Sequence, residues 1–197
     1  MPRVSRLQTD RNRERIKEVS ARLFREQGIK GVSVADLMAA AGLTHGGFYG
    51  HFESKDDLAA AACRQAFEES IERWTAQIAR KRTQKSALNA IVEAYLATAD
   101  RDEAGKACPT AMLATDVARE SNEKPIRGAY LSGVKTQLEI LTGLQNSGDA
   151  RRDRRQAFVV FSTMVGALLL ARATNGDPIS DDILDAARRH IGRKEEG

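Results

Sequence analysis

Cysteine, proline and aromatic residues are scarce in this chain. Two cysteines, Cys63 and Cys108, cannot build a disulfide scaffold, so reduced thiols in a cytoplasmic protein are the simpler reading. Four prolines and the absence of alternating β-branched runs argue against a sheet and for helices. The longest apolar run, Met164 to Ala171, is too short to span a bilayer, so no membrane partner is expected. The opening Met1-Pro-Arg-Val-Ser-Arg is followed by charge and does not read as a secretory signal. Catalytic signatures are missing too. His45-Gly46-Gly47 has no Gly-x-Ser-x-Gly elbow to accompany it, and there is no Gly-x-x-x-x-Gly-Lys-Ser/Thr loop and no His-Glu-x-x-His pair. The histidines (His45, His51, His190) are not spaced with cysteines or carboxylates as metal ligands would be. The expectation is therefore no enzyme, no metal and no cofactor.

What the chain does have is a soluble balance of 42% hydrophobic and 29% charged residues over 197 positions, enough for one or two domains with a real core. Its net charge of +4 is unevenly placed. Residues 1–30 hold nine cations (Arg3, Arg6, Arg11, Arg13, Arg15, Lys17, Arg22, Arg25, Lys30) against four acids, so that segment is +5 and the remainder −1. A basic end is the electrostatic footprint of a protein that meets a phosphate backbone, or else simply a solvated tail.

The stretch next to that end is the most informative. Ser33 is placed to cap a short helix, with Asp36 three residues on as in a capping box. Val34, Leu37, Met38 and Ala41 share a face, Gly42 allows a tight turn, and Thr44 can cap the next helix. Helix, Gly-containing turn and second short helix make a helix-turn-helix, whose second helix enters the DNA major groove. Thr44, His45, Gly46, Gly47 and Tyr49 are small or hydrogen-bonding, which suits close approach to nucleic acid.

These residues resemble the TetR family of bacterial transcriptional regulators. Gly28 or Gly31, Ser33, Ala41-Gly42-Leu43-Thr44-His45-Gly46, Tyr49, His51-Phe52, Ser54-Lys55 and Leu58 occupy the places of the family's pattern, over roughly residues 10 to 65. Gly50 departs from it, standing where the family often has a bulkier residue. The resemblance implies an all-α fold. A three-helix DNA-binding domain would cover residues 8–68, with its helix-turn-helix at 32–51. A helical ligand-binding and dimerisation domain would cover 69–197.

Periodicity carries the reading onward, to about nine helices in all. One runs from about Asp10 to Gln27 and ends at Gly28; a long one is capped by Ser54 and continues through Leu58, Phe67, Ile71, Trp74 and Ile78. Another carries Leu88 to Ala99, followed by a charged loop from Asp100 to Ala107. Further helices open at Cys108-Pro109 and near Ile126, a wide-arc apolar helix spans Asp149 to Thr174, and a last one is capped by Ser180. A helix apolar over a wide arc must bury more than one face. A homodimer interface through Phe158, Val165, Leu168, Leu169, Ile183, Leu184 and Ala187 is therefore expected, the alternative being the central helix of a monomer core.

The expected DNA contacts are Ser33, Thr44, His45, Gly46, Tyr49, His51 and Lys55. Thr44 has a capping role as alternative, Gly46 is equally a permissive turn residue, and His51 is left open between a phosphate contact and a structural hydrogen bond. An effector pocket, placed by the resemblance among the central helices, draws on Phe67, Ile71, Trp74, Tyr95, Met112, Phe158, Phe161 and Met164, all of which read equally well as core. The function these readings point to is a repressor released from a palindromic DNA operator by a small apolar or aromatic effector. The alternative is a DNA-binding regulator without such a pocket, worked by a partner protein or by a redox switch at Cys108. That thiol stands at a helix N-terminus, which favours the thiolate.

Overall fold

The structure, a computed structural model, describes residues 6–193; Arg3 and residues 194–197 of the second expected domain lie outside that range. Among the described residues the order is α1 (Arg6–Gln27), α2 (Val34–Ala40), a 3₁₀ helix (His45–Gly50), α3 (Lys55–Ala79), α4 (Gln84–Tyr95), α5 (Thr98–Asp102), α6 (Pro109–Arg119), α7 (Pro125–Gly143), α8 (Ala150–Ala173) and α9 (Ile179–Arg193). The fold class is all-α, with an N-terminal helix-turn-helix followed by a helical C-terminal part.

Local chemistry explains most boundaries. Gly28 ends α1 at φ +76°, and Gly42 ends the α2 turn at φ +71°, both in the left-handed region that favours glycine. At the second, Leu43 N–H donates to the Met38 carbonyl (2.8 Å) and Gly42 N–H to Ala39 (2.9 Å), which closes the helix end. The Ser33–Asp36 capping box is complete, with the Ser33 hydroxyl oxygen accepting from Asp36 N–H (3.1 Å) and the Asp36 carboxylate accepting from Ser33 N–H (3.0 Å).

Four expectations are corrected. The second helix-turn-helix helix is 3₁₀ rather than α, because three of its six residues are glycine, each roughly 1 kcal/mol worse than Ala in an α-helix. Thr44 sits at its N-cap position, but the side chain makes no capping bond. The charged loop contains a short helix, α5, held by tertiary bonds that periodicity cannot reveal: Arg101 donates to the Ser180 hydroxyl (3.0 Å) and to Asp181 (2.5 Å). Ser180 does not cap the last helix; its hydroxyl donates to the Ala171 carbonyl (2.7 Å), and Asp177 accepts from Ile179 N–H instead.

Two hydrophobic clusters form the interior, and α3 supplies both. The first joins Ile16, Phe24, Leu37, Met38, Phe48, Leu58 and Phe67 with Leu113, Val117 and Ile126 of α6 and α7. The second joins Trp74, Leu88, Ile91 and Tyr95 with Phe161, Met164, Leu168 and Leu184. Each large side chain so buried contributes about 1.5–3 kcal/mol. The boundary drawn at 68/69 thus falls inside an unbroken helix, and the N-terminal core is completed from α6 and α7.

Helix α8 carries an 18-residue window of mean hydropathy 1.6, long and apolar enough to cross a bilayer, which the short run Met164–Ala171 does not suggest. In the fold its Ala157, Met164, Leu168 and Ala171 face the second cluster. The expected interface divides accordingly. Leu168 and Leu184 (both 0% exposed) and Ala187 are core residues of the protomer itself, whereas Phe158 is exposed and Val165, Leu169 and Ile183 are half-buried. Val159, Leu170 and Ile179, which the pattern missed, add exposed apolar surface.

Close packing of α3 on α7 depends on Gly133, where an added Cβ would overlap the Phe67 ring. Gly133→Ala is expected to lower the melting temperature by several degrees. Overpacking costs about 1–3 kcal/mol and outweighs a helix-propensity gain of about 1 kcal/mol. A thermal melt showing an unchanged or higher midpoint would mean that the ring moves freely.

Candidate nucleic-acid interface and effector cavity

The N-terminal site is built by the capping box of α2, the 3₁₀ helix and the start of α3. Phe48 and Phe52 turn inward, stacked with centroids 6.1 Å apart. That leaves Tyr49, edge-on to Phe48, projecting outward at 73% exposure. Ser33, Thr44, His45 and Gly46 are exposed with it, and a Cβ added at Gly46 would meet nothing within 4 Å. Lys55 begins α3, half-buried and without an ion pair among the described residues, where the helix N-terminus adds free N–H groups. The geometry presents Thr44, His45 and Tyr49 outward, while the Ser33 hydroxyl donates to the exposed Asp36 carboxylate (2.6 Å).

His51 lies differently. It is half-buried, its carbonyl accepts from Arg13, and its ring Nδ1 is buried without a hydrogen bond. Arg13 also stacks over Phe52, 4.3 Å from the ring centre, and so braces the end of the 3₁₀ helix. The basic end is less free than its count. Arg25 is buried, bonding Glu69 at 2.8 Å and the Ala21 carbonyl at 2.9 Å. Lys17, Arg22 and Lys30 pair with Glu14, Glu26 and Glu120.

The C-terminal site is a pocket of about 210 Å³ between α3, α4, α5 and the start of α6, open to solvent past Arg73, Ala76, Gln77 and Ala94 and backed by Ser70, Trp74, Ile91, Tyr95, Asp100 and Cys108. Of the eight residues expected in a pocket, Trp74 and Tyr95 line it, with rings 6.3 Å apart, and Phe161 packs behind Trp74 at 6.1 Å. The others lie elsewhere. Phe67 meets Tyr130 edge-to-face in the first cluster beside Ile71, Met164 is closed within the second, Met112 packs on its edge, and Phe158 is exposed under Arg154.

Sequence reasoning missed the polar floor. Gln137, fully buried, donates to the Ser70 hydroxyl (3.1 Å) and to Cys108 Sγ (3.5 Å), and accepts from the Thr110 hydroxyl (2.7 Å). Ser70 and Gln137 each interrupt an apolar helical stripe, and that interruption is the signal that was available. The Tyr95 hydroxyl is sealed from solvent beside the Cys108 thiol. Burial pushes its pKa up, and pushes the Asp100 carboxyl to about 6 against the pull of Arg73. Cys108 is 2% exposed, and Cys63, raised by burial to about 12, is held as a neutral thiol. Among the described residues no group of His, Cys, Asp and Glu is placed to hold a metal.

Residues 16–62 match the family model described as bacterial regulatory proteins, tetR family. The chain is 38% identical over 58 residues to the HTH-type transcriptional regulator AcrR of Shigella flexneri, covering 29% of this chain and 27% of that protein. It is 26% identical over 137 residues to the HTH-type transcriptional repressor KstR2 of Rhodococcus jostii (strain RHA1), covering 69% and 64%. The chain therefore spans less than two thirds of the length of these curated relatives. A TetR transcriptional regulator from Chloroflexus aurantiacus J-10-FL superposes with a TM-score of 0.77 at 28% identity, over 95% of each chain.

Asp100 gives the cavity a pH signature. Its folded pKa lies above the unfolded carboxylate value of about 4, so its stabilising share is full below pH about 4 and is lost as the pH rises through about 6. Asp100→Asn should remove that part of the fall. Thermal melts from pH 4 to 7 should show the variant gaining on the wild type as pH rises, and parallel curves would contradict the burial of this carboxyl.

Proposed function

Since the chain belongs to the TetR family of bacterial regulatory proteins, we propose that it is a cytoplasmic, dimeric transcription regulator that binds a palindromic DNA operator and is released by a small effector in the α3–α4–α6 cavity. It acts by binding, as a repressor, with no chemistry of its own. One observation carries the reading. Helix α3 begins beside the outward-facing donors, at Lys55, and continues unbroken to Trp74 in the cavity wall. A second tie runs through α6. Its N-terminal Cys108 borders the cavity, while its Asp116 accepts from Ile29 N–H (3.2 Å) between α1 and α2. An effector that moves α3 or α6 therefore moves the DNA face. It shifts the DNA equilibrium only by its differential affinity for the two states, typically ~1–3 kcal/mol of coupling.

In this reading Tyr49 and Lys55 hold phosphates, Thr44 and His45 reach base edges, and Ser33 joins its capping role to a backbone contact. His51 acts mainly through Arg13, supporting the segment from behind. Two such units read half-sites about one helical turn, ~34–36 Å, apart. Tyr49→Ala and Lys55→Ala should weaken binding to specific and random duplexes alike and flatten the salt dependence. His45→Ala should relax discrimination by roughly 1–3 kcal/mol at one base pair. Gly46→Ala should leave the melting temperature unchanged yet weaken binding, because its surroundings are open in the free protein. Fluorescence anisotropy across 50–200 mM salt reads all four, and wild-type affinity throughout would remove this segment from DNA.

The dimer is proposed through the outer stripe of α8, Phe158, Val165, Leu169 and Leu170, continued by Ile179 and Ile183 of α9. Because Phe158 and Leu170 are exposed in the protomer, Phe158→Glu with Leu170→Glu should give a folded monomer. Leu168→Glu should instead unfold the chain. Analytical ultracentrifugation distinguishes these outcomes, and a wild type that is monomeric at micromolar concentration would end the dimer reading.

A further inference from the structure

We propose that the far end of α3, away from the helix-turn-helix, carries a second surface for DNA phosphates, and that the protein bridges two DNA segments through it.

Charge marks the place. Residues 80–86, which join α3 to α4, hold Arg80-Lys81-Arg82 and Lys85 with no acid. Residues 149–156, at the start of α8, hold Arg151-Arg152 and Arg154-Arg155 against two acids. Together the two segments are +6 in a chain whose net charge is +4. With residues 1–30 at +5, everything outside these three segments is −7. Positive charge is thus gathered at two separate places.

The fold brings the two runs together. Arg82, Lys85 and Arg152 line one open groove, and the Gln84 amide ties the start of α4 to the end of α7 through the Gly143 carbonyl (3.0 Å). All eight cations are exposed. Among the described residues Arg80, Lys81, Arg82, Arg151, Arg152 and Arg155 form no ion pair. Both acids are engaged by backbone: Asp149 accepts from the Arg151 and Arg152 N–H groups (2.8 and 3.2 Å), and Asp153 from Ser147 N–H (3.0 Å). Helix α3 keeps this surface apart from the first. Its 25 residues, at about 1.5 Å each, put Arg80 about 37 Å from Lys55. The groove therefore meets a different DNA segment from the one at Tyr49 and Lys55.

Lining chemistry names the partner. Six of the eight cations are arginine, whose planar fork matches phosphate oxygens in pairs. Beside them stand Thr83, Gln84, Gln145, Asn146 and Ser147, the hydroxyl and amide side chains that bond phosphate and sugar in protein–DNA contacts. A lipid surface takes basic residues set among exposed apolar ones, whereas Leu144, the one large apolar residue in this groove, is buried.

The test uses the full chain, a random-sequence duplex fixed to beads and a second, fluorescent duplex in solution. At protein concentrations that saturate the beads, wild type should carry the fluorescent duplex down at ~50 mM salt and release it by ~200 mM, because each phosphate contact displaces counterions. A variant combining Arg80→Gln, Arg82→Gln, Arg152→Gln and Arg155→Gln should carry about tenfold less per bound protein, with an unchanged melting temperature. Arg82→Gln with Arg152→Gln alone should give an intermediate loss, and replaces the fourfold variant if that one melts early. Bridging that survives these substitutions overturns the proposal, and so does a wild type that leaves the second duplex in solution. Capture of phosphatidylserine vesicles or poly-glutamate in place of the duplex overturns it as well. Beads that stay uncoated overturn the DNA-binding reading together with this one.

Discussion

Helix α3 is shared by two hydrophobic clusters, and the rest of the molecule is arranged around that sharing. Leu58 and Phe67 belong to the core that fixes the helix-turn-helix, and Trp74 to the core that backs the pocket. Neither unit closes without this helix, because the first core also needs Leu113, Val117 and Ile126 from α6 and α7. Close-packed interiors transmit displacement rather than absorb it. A change at Trp74 therefore reaches Lys55 along a hydrogen-bonded rod.

The buried Arg25–Glu69 pair reinforces the same joint. Arg25 reaches from α1 to Glu69 on α3 and to the carbonyl of Ala107, just ahead of α6. A cation buried this deeply holds three segments in one geometry, and removing its partner would leave it uncompensated. The region that joins the pocket to the proposed DNA face cannot loosen without cost to the N-terminal core.

Much of this was legible in the sequence. Capping residues and apolar periodicity located the long helices, and the spacing from Ser33 to Lys55 marked the helix-turn-helix, because those signals are local. What escaped depends on partners distant in sequence. Helix α5 is held by Arg101 reaching α9. Ser180 exchanges a cap for a bond to α8. Leu168 and Leu184 face inward because α9 folds back over α8. The pocket was the weakest reading. Phe67 and Met164 have the same residue character as Trp74, yet packing closes around them, and only three-dimensional placement shows where a void remains. Ser70 and Gln137 were visible as polar breaks in apolar stripes, but only their mutual bond reveals a cavity floor.

Shared cores make a claim that one experiment reaches directly. Thermal unfolding can be followed by Trp74 emission and by helix ellipticity on the same sample, with and without an operator duplex selected from random sequence. A ligand that binds only the folded state raises its melting temperature. If α3 makes the two units one cooperative structure, the two probes superimpose and the operator raises both together, although Trp74 lies in the cavity and not on the DNA face. An operator that shifts the ellipticity transition while Trp74 melts at its original temperature would contradict the account.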